Sequence, residues 1–424
     1  LDEAKTLVDK IERYLQRPYS YSETNGCNTF TREISGDWRN IICFIADDED
    51  NNLHIGQAEK LATIIDTSYN NINVEKIYLD AFAQVTGSTG DSYPDVNKLL
   101  NERVKNGALF INYTGHGGET GWTQEKILQL SDINRWENNI NSLPSFVTAS
   151  CEFSRFDDPS RTSAGELVML NQRGGGISLF TTTRLAFSNS NFNLNKSFCQ
   201  YAYKKVNNEF YRMGDIIRLS KVSNGSIVNI RNFVLLGDPA LKLSYPRFNI
   251  VTTIINGHEL GTEADTIRAG SIVSISGNIQ DDNGETVTDF NGTIFPKVYD
   301  KKTVTTTLAN DPTSSPFDFL QQEKIIYQGK ASLVNGEFSF TFIVPKDIDP
   351  GFDGCRISYY ARNDSMDASG YFENPEFIIG SAEPSLVDNT GPVINIFFND
   401  SLFKSGDNLD KNPVLMAFLS DEHG

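Results

Sequence analysis

Two short segments carry residue types suited to nucleophilic chemistry. "FINYTGHGG" ends an apolar run on His116, one of four histidines in 424 residues, with Gly115, Gly117 and Gly118 around it. "SFVTASCEF" ends another apolar run on Cys151. A thiol becomes an effective nucleophile when a nearby imidazole takes its proton or stabilises the thiolate. Peptide hydrolysis also needs donors for the tetrahedral oxyanion. A glycine beside the histidine leaves its N–H unobstructed, and the N–H of Cys151 is a second donor. A lone cysteine at a strand end is more often a small buried hydrophobe, and a lone histidine in a turn is more often structural. The pairing of the two motifs is what points to a cysteine–histidine dyad.

Such a dyad needs two strand tips side by side. Apolar runs at Ile41–Ala46, Val74–Leu79, Ala108–Tyr113, Ser145–Ala149 and Gly176–Thr181 read as strands. Helical spacing lies between them. Ala4, Leu7, Val8, Ile11 and Tyr14 form one stripe, and Ile55, Ala58, Leu61, Ala62 and Ile65 a second. Val96, Leu99, Leu100 and Val104 form a third, with Pro94 near its start and Gly107 past its end. Ser163 and Glu166 have capping-box spacing. Alternation of this kind predicts a mostly parallel sheet with helices on both faces. His116 and Cys151 stand 35 positions apart. That is one helix plus one strand, so the two strands are expected as neighbours, with both residues beyond their carboxyl ends, where open sheets bind ligands.

From Phe248 the helical period fades. Short alternating runs such as "SIVSISGNI" and "KASLVNGEFSFTFIV" take over, punctuated by Asp282-Asn283-Gly284 and Val334-Asn335-Gly336. They predict an immunoglobulin-like antiparallel β-sandwich. The expected organisation is an α/β domain over 1–245, the sandwich over 246–383, and the start of a further β-domain over 384–424. The chain reads as an internal piece of a longer protein. The net charge of −18 argues against nucleic acid as a partner. Five scattered cysteines (Cys27, Cys43, Cys151, Cys199, Cys355) do not form a disulfide scaffold or a zinc CxxC pair.

At these residues the chain resembles the gingipain family of cysteine peptidases, which have a caspase-like α/β fold. "NYTGHGGETGW" resembles that family's histidine motif and "VTASCEFSRFDD" its cysteine motif; "GELVMLNQRGGGISLFTTTRL" and "FVLLGDPALKL" resemble the segments that follow. "GDWRNIICFIADDEDNNLH", "ASLVNGEFSFTFIVPKDI" and "RISYYARN" resemble, more narrowly, the sortase branch that serves the type IX secretion system. The resemblance implies Cys151 as nucleophile, His116 as general base and acid, and the N–H groups of Gly117 and Cys151 as the oxyanion hole. It implies a place on the bacterial outer membrane, at the cell surface. The implied partners are secreted cargo bearing a C-terminal signal domain, an anionic lipopolysaccharide acceptor and an outer-membrane β-barrel of the attachment complex. An acyl-enzyme accounts for hydrolysis and for transfer alike. No cofactor is implied for catalysis.

Several neighbours have weaker claims. Asp48, Asp50, Asn52 and Glu59 partly follow the spacing of a calcium loop, but Leu53 stands where such loops need glycine. A structural calcium there is the minor expectation beside a solvated acidic loop. His54 is expected to hydrogen-bond within that loop, outside the dyad. Glu152 and Arg155, with Asp157 and Asp158, are candidates for the substrate cleft, against the plainer reading of loop polarity. Trp122 and Trp136 are expected to pack. Two other functions fit the same residues: a catalytically silent surface-binding module, or a general secreted protease.

Overall fold

The computed structural model describes residues 1–17, 20–25, 28–33, 36–69, 71–88, 90–225, 228–260, 266–348, 351–382, 393–399, 403 and 413–420. The segment Ile41–Ala46 is buried at every position, as suits a strand covered on both faces. Ile41, Cys43 and Ile45 enter one apolar cluster, and Ile42, Phe44 and Ala46 the other. Six strands make the central sheet, in the order Phe233–Leu236, Ser178–Thr182, Ser145–Ala149, Phe110–Thr114, Ile41–Ala46, Asn73–Tyr78. Five are parallel and Phe233–Leu236 is antiparallel to its neighbour. The expected strands are present, with ends shifted by one or two residues.

Helices cover both faces. Leu53–Ser68, Ser188–Ala202 and Met213–Ser223 pack on the Phe44 side through Ile55, Leu61, Phe198 and Ile216. Pro94–Asn106 and Ala164–Leu170 cover the Cys43 side through Val96, Leu100, Val104 and Val168. Leu99, expected in that stripe, is 36% exposed; the four-residue spacing of the other three leaves it at the margin. The capping box forms, with Glu166 Oε2 accepting from Ser163 N at 2.8 Å and Oγ at 2.7 Å. The first helix, Asp2–Gln16, buries Thr6, Lys10 and Tyr14 and exposes Val8, which departs from the expected stripe. The cause is polar. Lys10 Nζ donates to the carbonyls of Met169 (2.7 Å) and Val168 (3.3 Å), which end a helix and lack intrahelical partners.

The region from Phe248 is β-rich. Alternation buries Val273, Ile275 and Ile279 along Ile272–Gln280, and Phe338, Phe340 and Phe342 along Glu337–Ile343. Pairing runs through Phe248–Ile255, Ile272–Gln280, Glu337–Ile343, Ala331–Val334, Gly292–Tyr299, Asp353–Arg362 and Asp367–Ala382. The last strand then pairs in parallel with the first, Ala368 opposite Phe248, so the hydrogen-bonded path closes on itself. Asn335 and Gly336, with φ of 52° and 78°, make the tight turn expected at Val334-Asn335-Gly336. Val393–Phe398 pairs with Leu415–Ser420 as a separate hairpin.

Buried polar contacts join the β-rich region to the α/β part. Arg39, 1% exposed, donates from Nε to Ser244 Oγ (3.0 Å) and from a terminal nitrogen to Tyr360 Oη (2.8 Å), with Asp367 3.9 Å away. Asn73 donates to Ser358 Oγ at 2.7 Å and accepts from Arg356 at 2.9 Å. A second hairpin, Thr303–Thr306 with Asp318–Gln321, lies on the α/β part, and its Phe319 packs on Tyr78 with ring centres 4.8 Å apart. Arg39→Ala removes the buried hydrogen bonds to Ser244 and Tyr360, while Asp367 keeps Arg17 at 3.2 Å, and is expected to destabilise the chain by about 1–3 kcal/mol; urea unfolding monitored by tryptophan fluorescence measures it.

Candidate active site

The Phe110–Thr114 and Ser145–Ala149 strands are parallel neighbours with Thr114 opposite Ala149. His116 and Cys151 each follow two residues later, beyond the same edge of the sheet. The two turns touch. Gly115 N donates to Ala149 O at 3.3 Å. Gly117 lies so close to the residue before the cysteine that an added Cβ would stand 3.1 Å from Ser150 Cβ. Gly115 has no room for a side chain, since its Cβ would fall 2.4 Å from Asp47 Cβ and 2.5 Å from Tyr113 Oη. Glycine is thus what lets the histidine turn settle on its neighbours.

The turn is held from below by a carboxylate. Asp47 Oδ2 accepts from His116 N at 2.8 Å, and Asp47 Oδ1 accepts from Asp48 N at 3.0 Å. His116 O accepts from Tyr113 Oη at 2.5 Å and Thr123 N at 3.2 Å. Its ring is half-exposed. Nε2 lies 3.1 Å from Asp50 Oδ2 and 3.4 Å from Glu49 Oε2. Carboxylates at Nε2 leave Nδ1 as the nitrogen able to move a proton. His54 packs edge-on against this ring, with centres 5.2 Å apart and planes at 86°. It is buried, neither of its nitrogens makes a hydrogen bond among the described residues, and burial lowers its pKa to about 4. Its nearest charge, Asp50 Oδ2 at 3.3 Å, lies within the acidic loop, as expected, but off the hydrogen-bonding line. Burial raises the carboxyl pKa of Asp47 and Glu49 above the usual range.

Cys151 is partly exposed, and its sulfur accepts from Ala186 N at 3.4 Å and lies 3.6 Å from Ala186 O. Among the described residues no hydrogen bond joins the sulfur to the imidazole; such contacts tighten when substrate binds. Cys43, Cys199 and Cys355 are free and buried, and burial pushes all three thiols up, Cys199 to about 12. Cys27 lies outside the described residues. Glu152 takes a left-handed φ of 52° and its N–H donates to Arg184 O. Arg155 pairs with Glu119 at 2.9 Å and stands 3.9 Å from Glu152, while Asp157 binds Arg184. These contacts tie the cysteine loop to its surroundings. Leu185 and Phe187, on either side of Ala186, are 66% and 68% exposed, so the thiol has an apolar rim. A groove of about 570 Å³, lined by His116, Gly117, Gly118, Gln124 and Lys126, opens beside the histidine. A larger cleft of about 820 Å³ lies near Ile41 and Asn73, at the opposite ends of the strands. Trp122 and Trp136 are buried and stack on Tyr113 and Phe146.

The expected calcium set does not assemble. The helix beginning at Leu53 carries Glu59 away to Lys76 (2.8 Å) and Tyr78 Oη (2.9 Å). Asn52 exchanges hydrogen bonds with Ser315, and Asp50 faces the imidazoles. Of the four, only Asp48 joins a carboxylate group, with Asp47 and Glu125, whose ligand oxygens lie within 4.8 Å of one another. Among the described residues Asp48 Oδ1 and Glu125 Oε2 are buried without hydrogen-bond partners, so this trio has oxygens suited to a hard cation such as calcium.

Sequence reasoning missed Asp47, Glu49 and Asp50 as the histidine's neighbours, and His54 beside it. The signal was present. The acidic loop follows Ile41–Ala46, which pairs in parallel with Phe110–Thr114, Ala46 opposite Thr114. The far side of the loop is braced by the β-rich region: Ser314 Oγ donates to Asp48 O at 2.8 Å.

Residues 1–244 match the family model described as Peptidase family C25. Among solved structures, the chain is similar to the Arg-specific cysteine proteinase gingipain R, at 15% identity over 90% of this chain and 72% of that one, with a TM-score of 0.46. It is similar to a complex of the Porphyromonas gingivalis RgpB pro- and mature domains (14% identity, 88% of this chain and 73% of that one, TM-score 0.44). It is also similar to dimeric latent PorU from Porphyromonas gingivalis (22% identity, 95% of this chain and 37% of that one, TM-score 0.36). No curated protein sequence matches it. The family match spans more than half of the chain, which therefore belongs to peptidase family C25, the gingipain family of cysteine peptidases.

Proposed function

We propose that the chain is a cell-surface cysteine endopeptidase and transpeptidase of sortase type. The reaction splits into two displacements. Cys151 Sγ attacks the scissile carbonyl after His116 Nδ1 takes the thiol proton, and the N–H groups of Gly117 and Cys151 hold the oxyanion. His116 then returns the proton to the leaving amine, which gives a thioester on Cys151. Water or an amine resolves the thioester, giving hydrolysis or transfer. Glu49 and Asp50 stabilise the imidazolium formed on the way. The observation that carries this reading is the contact between the two turns, Gly117 against Ser150, one residue from each reactive side chain.

The substrate is proposed to be type IX secreted cargo, cut before its C-terminal signal domain and joined at the new carboxyl end to an anionic lipopolysaccharide. Support comes from the sequence segments that resemble the sortase branch. On this reading the protein works at the bacterial outer membrane beside a β-barrel partner of the attachment complex. No helix among the described residues is long and apolar enough to cross a membrane. Residues 246–383 are proposed as an immunoglobulin-like sandwich domain after a catalytic domain over 1–245, with 384–424 opening a further β-domain. A structural calcium is proposed at Asp48 and Glu125, whose buried oxygens have no hydrogen-bond partner among the described residues, in place of the set first expected.

Cys151→Ala is expected to abolish cleavage of a cargo–signal-domain junction without shifting the melting temperature, and His116→Ala to lower kcat by about 10²–10⁴-fold; unchanged turnover in either variant rules the dyad out. In the native chain, iodoacetamide is expected to modify Cys151 ahead of Cys43, Cys199 and Cys355, because those three thiols are buried and protonated. Peptide mapping by mass spectrometry reads this directly. A soluble amine added during turnover is expected to divert product from the free acid to the amide, and a pure hydrolase would leave the product ratio unchanged.

A further inference from the structure

Two imidazoles and a buried carboxylate converge at one point, and the peptidase reading uses only one of them as a catalyst. Ligand atoms of Asp47, His54 and His116 all lie within 4.8 Å of one another. His54 is the telling member. It is 5% exposed, and among the described residues both its ring nitrogens lack hydrogen-bond partners. A buried imidazole with two unsatisfied nitrogens is costly unless something binds it. Among the described residues only Asp50 approaches it, at 3.3 Å and without hydrogen-bond geometry. Asp50 Oδ2 lies 3.3 Å from His54 Nε2 and 3.1 Å from His116 Nε2, so a further oxygen already stands between the rings.

We propose that Asp47, His54 and His116, with Asp50 as fourth donor, form a site for a zinc-type divalent cation that switches the dyad off. Two neutral imidazoles with carboxylate oxygens are the donor set of zinc, whereas calcium takes oxygens alone. Tetrahedral zinc ligands stand roughly 3.4 Å apart, so the side chains close in by about an ångström, which the half-exposed His116 ring and the Asp50 side chain allow. The second-row contacts are in place, because Asp47 is already fixed by the N–H groups of His116 and Asp48. A cation on His116 Nε2 leaves the remaining proton of the neutral ring on Nδ1. No lone pair is then left to accept the proton of Cys151. The site stands on its own geometry; the switching rests on the peptidase reading.

The test separates the two. The whole chain is titrated with zinc chloride by calorimetry, and its cobalt(II) form is examined by visible absorption. The site predicts one ion per chain, binding retained in Cys151→Ala, binding weakened by about 10–100-fold or more in His54→Gln, and a tetrahedral cobalt spectrum without a thiolate charge-transfer band. Circular dichroism checks that His54→Gln is folded, and the cobalt spectrum of the unsubstituted chain needs no variant. No stoichiometric binding overturns the proposal, as does binding lost in Cys151→Ala but kept in His54→Gln, or a thiolate band, either of which places the ion on the cysteine instead. Neither readout requires peptide cleavage. If zinc binds as stated but leaves the rate of Cys151 alkylation unchanged, the site stands and the switching is overturned.

Discussion

The register between two parallel strands is the constraint on which the site depends. Thr114 opposite Ala149 brings two sharp turns off the sheet at the same height. A slip of one residue would reverse every side chain of one strand and send Phe146 and Val147 to the wrong clusters. The apolar packing of the sheet therefore fixes the placement of a thiol and an imidazole that themselves contribute little to stability. Gly117 completes the arrangement by leaving no side chain against Ser150, and Gly115 by leaving none against Asp47 and Tyr113.

Around this pair the protein gathers negative charge. Asp47, Asp48, Glu49 and Asp50 come from one loop and Glu125 from another, and burial raises the carboxyl pKa of Asp47, Asp48, Glu49 and Glu125. So many carboxyls in a partly desolvated pocket are unfavourable unless a positive charge visits it. An imidazolium formed during turnover is such a charge, and a bound cation is another. The same residues thus suit both a catalytic cycle and its arrest.

Much of this was legible in the sequence. Strands were readable because buried parallel strands are apolar at every position, as in "IICFIA", and helix ends because Pro94, Gly107 and the Ser163–Glu166 pair carry local backbone chemistry. The placement of His116 and Cys151 was readable because both residues follow such strands. What escaped was non-local. The buried face of the first helix is set by Lys10 reaching carbonyls more than 150 positions away. The calcium-like spacing misled because helix geometry turned Glu59 toward Lys76. The carboxylates at His116 belong to a strand adjacent in space but some 70 residues earlier, and sheet order is not written in local periodicity. The strand Phe233–Leu236 was not read as one, being too short to show a period.

The brace on the acidic loop ties the site to a distant part of the chain. Ser314 and Ser315, which seat the backbone of Asp48 and the side chain of Asn52, lie more than 260 positions downstream. An α/β part folded without the β-rich region would keep the strand register and both turns, yet would present the loop beside the histidine without its outer wall. The β-rich region is in this sense a structural part of the histidine's surroundings.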